Sequence, residues 1–238
     1  MAREGSWKET LMRARDYHLP SSPHWHKVSK GEPRWPVSFV VVLVIFLQFT
    51  LPPHYSLRHQ KWICLAEVLL AVALFAWNPG RIKGHKQSRW FLGISLSALM
   101  TLSNVGSSGH LVRELLNGSA TNPTSLLIAG GSIWLTNIIA FSLWYWEFDR
   151  GGPGARAEAL DPYPDFLFPQ MQSPELAPAD WAPNYFDYLY ISFTNASAFS
   201  PTDTLPLSRW AKTLMTIQST TSLVTVGLVI ARAVNILK

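Results

Sequence analysis

The stretch Asp187–Pro206, DYLYISFTNASAFSPTDTLP, governs how the rest of the chain is read. It opens with an aromatic amphipathic segment (Tyr188, Tyr190, Phe193) and passes into small polar residues (Thr194, Asn195, Ser197). It then turns at Ser200-Pro201-Thr202-Asp203 and closes at Pro206. A bilayer crossing needs about 20 apolar residues, and this segment is too short and too polar to supply them. It is also too aromatic for a solvated loop. Non-helical backbone is tolerated at membrane depth only where protein or water surrounds it. A short helix, a turn and an extended return, followed at once by an apolar helix from Leu207 to Leu237, is the layout of a re-entrant hairpin.

Four apolar blocks lie upstream of the hairpin. The first, Trp35–Leu51, has Pro36 at a tolerated first-turn position and is closed by Pro52-Pro53. The second, Trp62–Trp77, is closed by Asn78-Pro79-Gly80. The third starts at Trp90, stays apolar to Leu102 and turns into the small polar run Ser103–His110, whose residues allow close helix approach. The fourth, Leu126–Trp146, ends in the aromatic belt Trp144-Tyr145-Trp146. With the final helix, these blocks predict an all-α membrane protein of about five transmembrane helices plus one re-entrant pore-loop-like hairpin.

Four regions follow. Residues 1–34 are a basic segment with an interfacial helix over Ser6–Tyr17. Residues 35–146 are a four-helix transmembrane bundle. Residues 147–184 are a Pro-rich, acidic extramembrane loop, expected to be ordered over the bundle. Residues 185–238 are the hairpin and last helix. The implied location is integral to the cell membrane, multi-pass.

Composition agrees with that division. Hydrophobic residues make up 48% of the chain and charged residues 15%, with the charges lying between the apolar blocks. The net charge of +5 arises in the first ninety residues, and the region from Glu147 to Asp203 is acidic. Such a split points to membrane topology and not to nucleic-acid binding. The lone Cys64 excludes an intrachain disulfide and a multi-cysteine zinc site. His18, His24 and His26 flank Pro20 and Pro23 and read as a solvated loop, so neither a metal nor a cofactor is expected. No Ser-His-Asp order, metal-ligand helix or phosphate loop marks an enzyme.

The hairpin and last helix resemble the pore module of the potassium channel family, in which a phrase of the type YFSFTTLTTVGYGDIVP precedes the inner helix. Tyr190-Ile191-Ser192-Phe193-Thr194 matches the pore helix, Ser197-Ala198 stands at the paired threonines, and Asp203 and Pro206 match the Asp and Pro. The glycine-aromatic-glycine core is replaced by Ser200-Pro201-Thr202, and Pro201, with φ held near −65°, cannot copy the backbone of a potassium filter. The resemblance covers Asp187 to Leu237. It implies a homo-tetramer whose four loops surround an axis and pass monovalent cations with poor selectivity. Over its full length the chain also looks like a widespread bacterial family of multi-pass membrane proteins, which implies a compartment and no activity.

Candidate pore-loop residues are therefore Thr194, Asn195, Ser197, Ser200, Pro201, Thr202 and Asp203. On the last helix, Gln218, Thr221 and Thr225 form a polar stripe suited to line a pore, and Thr213, Thr216 and Thr220 form a second. Either stripe could instead serve helix packing. Further intramembrane polar residues are Glu67, Asn104, His110, Arg113 and Asn137. Glu67 lies about 8 Å into its span, and an ionisable group at such depth is a functional candidate by default. His110 and Arg113 are expected within its reach. Two alternatives stand beside the channel: a non-conducting membrane scaffold or regulatory subunit, and a proton-coupled transporter or membrane enzyme using Glu67 and His110. Orientation poses a conflict. The Lys and Arg residues before the first span and in the Arg81–Arg89 linker place the amino terminus in the cytoplasm. The pore-loop resemblance asks for the opposite side; an even number of spans or an inverted loop would reconcile the two.

Overall fold

The computed structural model describes residues 24–77, 80–82, 84, 86–118, 122–198 and 203–237, with backbone only at 77 and 237, and it is mostly helical. In chain order the elements are β1 (Glu32–Pro33), α1 (Trp35–Phe49), α2 (Gln60–Trp77), β2 (Arg81–Ile82), α3 (Gln87–Leu116), α4 (Pro123–Phe148), α5 (Pro153–Ala157), β3 (Phe166–Leu167), α6 (Pro169–Gln172), α7 (Tyr185–Ala198), β4 (Leu205–Pro206) and α8 (Arg209–Leu237). Two small antiparallel ladders join distant segments. β1 pairs with β2 (Glu32↔Ile82), and β3 pairs with β4 (Phe166↔Pro206).

α1, α2, α3 and α8 each bury one stripe and leave an apolar face outside, whereas α4 is buried on nearly all sides over its second half. On α1 the buried residues Val37, Val40, Val41, Val44 and Gln48 recur at helical spacing, while Phe39, Val42 and Phe46 are exposed. The helix stops where Thr50 N–H bonds Phe46 O and Pro52-Pro53 cannot extend the ladder. α3 continues unbroken to Leu116, because Ser103, Asn104, Ser107 and Ser108 are buried helix-packing positions. α4 begins at Asn122, whose side chain accepts a 3.1 Å hydrogen bond from Ser125 N–H, with Pro123 in the first turn. It is the central helix, packed against α1, α3, α7 and α8.

Two helical stretches, Pro123–Gly151 and Arg209–Ile236, are long and apolar enough to cross a membrane; an 18-residue apolar window in the first is 67% buried inside the protein and one in the second 28%. α1 is apolar but has only 15 residues, about 22 Å of helix.

One end of the bundle collects the start of α1, the α2–α3 connection, the end of α4 and the residues 149–184. The α7–β4–α8 segment starts from this same end. The rings of Trp35 and Phe186 lie 5.9 Å apart, and Trp146 meets Tyr185 at 5.9 Å. α7 runs inward, the chain returns so that β4 reaches β3, and α8 then descends, with Trp210 Nε1 bonded to Asp165 at 2.8 Å. α7 and α8 thus both enter the bundle from one end, with β4 back at that end between them. The 147–184 region, expected as an ordered loop, contains the short elements α5, β3 and α6 and lies over this end of the bundle. The expected helix over Ser6–Tyr17 and the residues Ser200, Pro201 and Thr202 lie outside the described residues.

Candidate functional site

α7 is held against α4 and α8 by a buried hydrogen-bond cluster centred on Gln218, which has no exposed surface. Its Nε2 donates to Ser192 O at 2.9 Å and to Ser192 Oγ at 2.7 Å. Its Oε1 accepts from Tyr145 Oη at 2.6 Å and from Asn195 Nδ2 at 2.8 Å. Asn195 Nδ2 also reaches Met215 O at 2.9 Å, and Ser192 Oγ donates to Ile138 O. Ser192 and Asn195 share one face of α7, so one carboxamide on α8 meets both while Tyr145 closes the cluster from α4. A buried polar network satisfied in this way fixes a single arrangement of the helices that share it.

This packing divides the candidate pore residues. Asn195 and Gln218 are spent inside the chain, and Thr225 is buried. Asn137 Nδ2 donates to Ser222 Oγ at 3.1 Å, a second α4–α8 bond. Thr194 and Ser197, toward the tip of α7, donate to Tyr190 O and Phe193 O. Thr221 donates to Ile217 O at 2.9 Å. Asp203 is exposed at the start of the return to β4.

The second stripe, Thr213, Thr216 and Thr220, is exposed on α8. These residues donate to Arg209 O (2.9 Å), Lys212 O (2.8 Å) and Thr216 O (2.8 Å). Each hydroxyl hydrogen is thus used within the helix, so the oxygens face out as acceptors. Thr216 and Thr220 border an open groove of about 640 Å³ with Asn195, Pro206, Lys212 and Ser219.

Glu67 is fully buried, and neither of its carboxylate oxygens has a hydrogen-bond partner among the described residues. The expected proximity to His110 and Arg113 does not arise. Gln60 Nε2 donates to Ser103 Oγ at 3.0 Å and to Gln48 Oε1 at 2.8 Å, which sets the α2–α3 register. With antiparallel helices, Glu67 and His110 then lie on opposite sides of that bond, about 20 Å apart along the bundle. His110 and Arg113 are exposed, whereas Asn104 is buried.

The charged cluster at the connected end was not singled out from the sequence. Arg156 is buried and donates to Glu32 Oε1 (2.7 Å, an ion pair), Trp146 O (2.7 Å) and Asp149 O (2.8 Å). Burial works to lower its pKa, but the charges of Glu32, Tyr188 and Asp149 outweigh it and raise it above the ordinary arginine value. Asp149, with no exposed surface, accepts from Tyr188 Oη at 2.6 Å and Asp165 N at 2.8 Å. Arg150 reaches Asp161 O and Trp25 O, both at 2.8 Å. The turn that allows this uses Gly152 at φ +91°, where a Cβ would stand 2.8 Å from Glu147 O. The chain matches no protein-family model, no curated protein and no solved structure. The sequence signal that could have found the cluster is the run Glu147-Phe148-Asp149-Arg150-Gly151-Gly152, charged residues directly after an aromatic belt. Among the described residues no group of His, Cys, Asp and Glu side chains is arranged to hold a metal ion.

Proposed function

We propose that this chain is an integral membrane protein of five spans and a re-entrant hairpin. In this reading it assembles, as a tetramer by the resemblance, into a channel-like pore for small cations of poor selectivity. The observation that carries the reading is the exposed threonine stripe on α8, a helix far less covered by its own chain than α4, beside α7, which enters the bundle from the same end. A stripe of outward acceptor oxygens suits hydrated cations once several copies turn it toward a shared axis. The membrane placement draws on large apolar side chains that face outward (Phe46, Leu69, Val72, Leu102, Val105, Ile128, Leu223, Ile230), while polar ones (Gln48, Ser103, Asn137, Gln218) are buried between the helices.

Lys212 stands one turn above Thr216 on the same surface and would oppose cations at the mouth, in keeping with weak selectivity. Purified protein in liposomes passes potassium and sodium at similar rates. The double variant Thr216→Val, Thr220→Val lowers that flux about tenfold, the scale of losing an acceptor contact to a charged species, while Lys212→Gln raises it. Folded wild-type protein that is a strict monomer and passes no ion would overturn the channel and leave the scaffold reading, which the inward use of Asn195 and Gln218 favours.

Lys27, Lys30, Arg34, Arg81, Lys86 and Arg89 gather at the end from which the hairpin starts. By the positive-inside rule that end is cytoplasmic, so the hairpin is inverted relative to potassium channels. In a Cys64→Ala background, a membrane-impermeant thiol reagent applied to intact cells labels His54→Cys and spares Asp180→Cys. The opposite pattern would restore the potassium-channel orientation.

A further inference from the structure

We propose that the cleft at the connected end, between the start of α1, the start of α3 and the end of α4, binds a phosphodiester bearing a primary ammonium group, the headgroup chemistry of an ethanolamine phospholipid. The inference rests on the membrane placement proposed above. The cleft is partly open to solvent, and its walls include Arg34, Gly84, Lys86, Arg89, Trp90 and Glu147.

Two of these groups point to a ligand. Arg34 is 9% exposed and Glu147 8%. Among the described residues the Arg34 guanidinium makes no hydrogen bond and lies over the Phe75 ring, 5.8 Å from its centroid. The Glu147 carboxylate likewise has no hydrogen-bond partner there, and the two charges act on each other without forming an ion pair within 4.0 Å. Buried charges are costly unless paired and hydrogen-bonded, so a ligand that brings the missing donors and acceptors is favoured.

The charge pattern selects the ligand class. A simple anion would suit Arg34, Lys86 and Arg89 but would face Glu147. A simple cation would suit Glu147 but face three positive groups. A phosphodiester separated from an ammonium by two carbons matches both. Trp90 and Trp146 line the cleft, side chains suited to the headgroup level of a bilayer, and Phe91 beside them is exposed toward the apolar exterior. Gly93 leaves the space that the carboxylate fills, since a Cβ there would collide with Glu147 Oε1.

The test is lipid binding to delipidated protein in detergent, read by native mass spectrometry with phosphatidylethanolamine, phosphatidylcholine, phosphatidylglycerol and soluble glycerophosphoethanolamine. The ethanolamine lipid binds about tenfold more tightly than the other two lipids, because a trimethylated ammonium cannot donate to Glu147 and a glycerol headgroup lacks the cation. Arg34→Gln weakens all three lipids. Glu147→Gln and Gly93→Ala erase the preference for ethanolamine over choline. Equal binding of the three lipids by wild type overturns the proposal, whatever the variants do. Soluble glycerophosphoethanolamine binding as tightly as the lipid overturns the lipid source and leaves the ligand chemistry. Extraction of the protein from membranes by alkaline carbonate overturns the membrane placement alone.

Discussion

Arg156→Met lowers stability by about 3 kcal/mol, because removing one partner of a buried ion pair leaves the other uncompensated. The wild-type guanidinium serves the Glu32 carboxylate and the carbonyls of Trp146 and Asp149, and its cation lies 4.9 Å from the centre of the Tyr188 ring. A methionine replaces the stem and none of the donors. Glu32 is only 14% exposed on its side chain, so water relieves part of the loss, which keeps the figure at the lower end of the range for buried pairs. The double variant Glu32→Leu, Arg156→Met recovers part of the stability but not all, since the two carbonyls remain unbonded and Trp146 Nε1 loses the Glu32 Oε2 to which it donates at 2.6 Å. Unfolding in detergent micelles, followed by tryptophan fluorescence with increasing denaturant, measures both. A single variant within about 0.5 kcal/mol of wild type would mean that Arg156 is a surface-like residue.

Gln218→Leu costs about 2–4 kcal/mol by leaving Tyr145 Oη, Asn195 Nδ2 and Ser192 Oγ short of partners in a closed interior. Leucine is one bond shorter than glutamine but of similar volume, so no large cavity adds to the figure. Asn195 keeps its bond to Met215 O, and Ser192 Oγ keeps its bond to Ile138 O, which limits the loss. The defect is local. Amide hydrogen exchange accelerates in α7, whose position depends on this cluster, and α1 to α3 stay protected. Adding Tyr145→Phe to Gln218→Leu restores part of the stability, because the orphaned phenol disappears. Uniform loss of protection across all helices would contradict a hairpin anchored at this point.

The two variants probe the two ends of one device. The charged cluster ties residues 24–34, 146–167 and the first turn of α8 together at the connected end. The Gln218 cluster fixes how far α7 reaches below it. Between them α7 and α8 are tied to α4 and to residues 149–167, and the Thr213–Thr216–Thr220 face of α8, on which the proposed pore depends, is left outside.

Much of the helical plan was legible in the sequence. Prolines and the Asn-Pro-Gly turn bounded α1 and α2, the Pro-and-Gly-rich run ended α4, and the short aromatic helix before Ser200-Pro201 announced α7. These are local decisions, made by missing donors, fixed φ and the length of apolar runs. The small polar run Ser103–His110 was harder to read, because serines and glycines both break helices in water and pack them closely when buried.

What only the tertiary structure decided is which polar face turns inward. On α8 the Gln218–Thr225 and Thr213–Thr220 stripes have the same periodicity, and an apolar helix carries no moment strong enough to choose between them. The choice falls to partners elsewhere, Tyr145 and Asn137 on α4 and Ser192 and Asn195 on α7, which bond Gln218 and Ser222. The Gln60–Ser103 bond in the same way set the register that parts Glu67 from His110. The Glu32–Arg156 pair joins residues 124 positions apart. Pairing across such a distance depends on how the helix ends come together, and no local property of either residue encodes it.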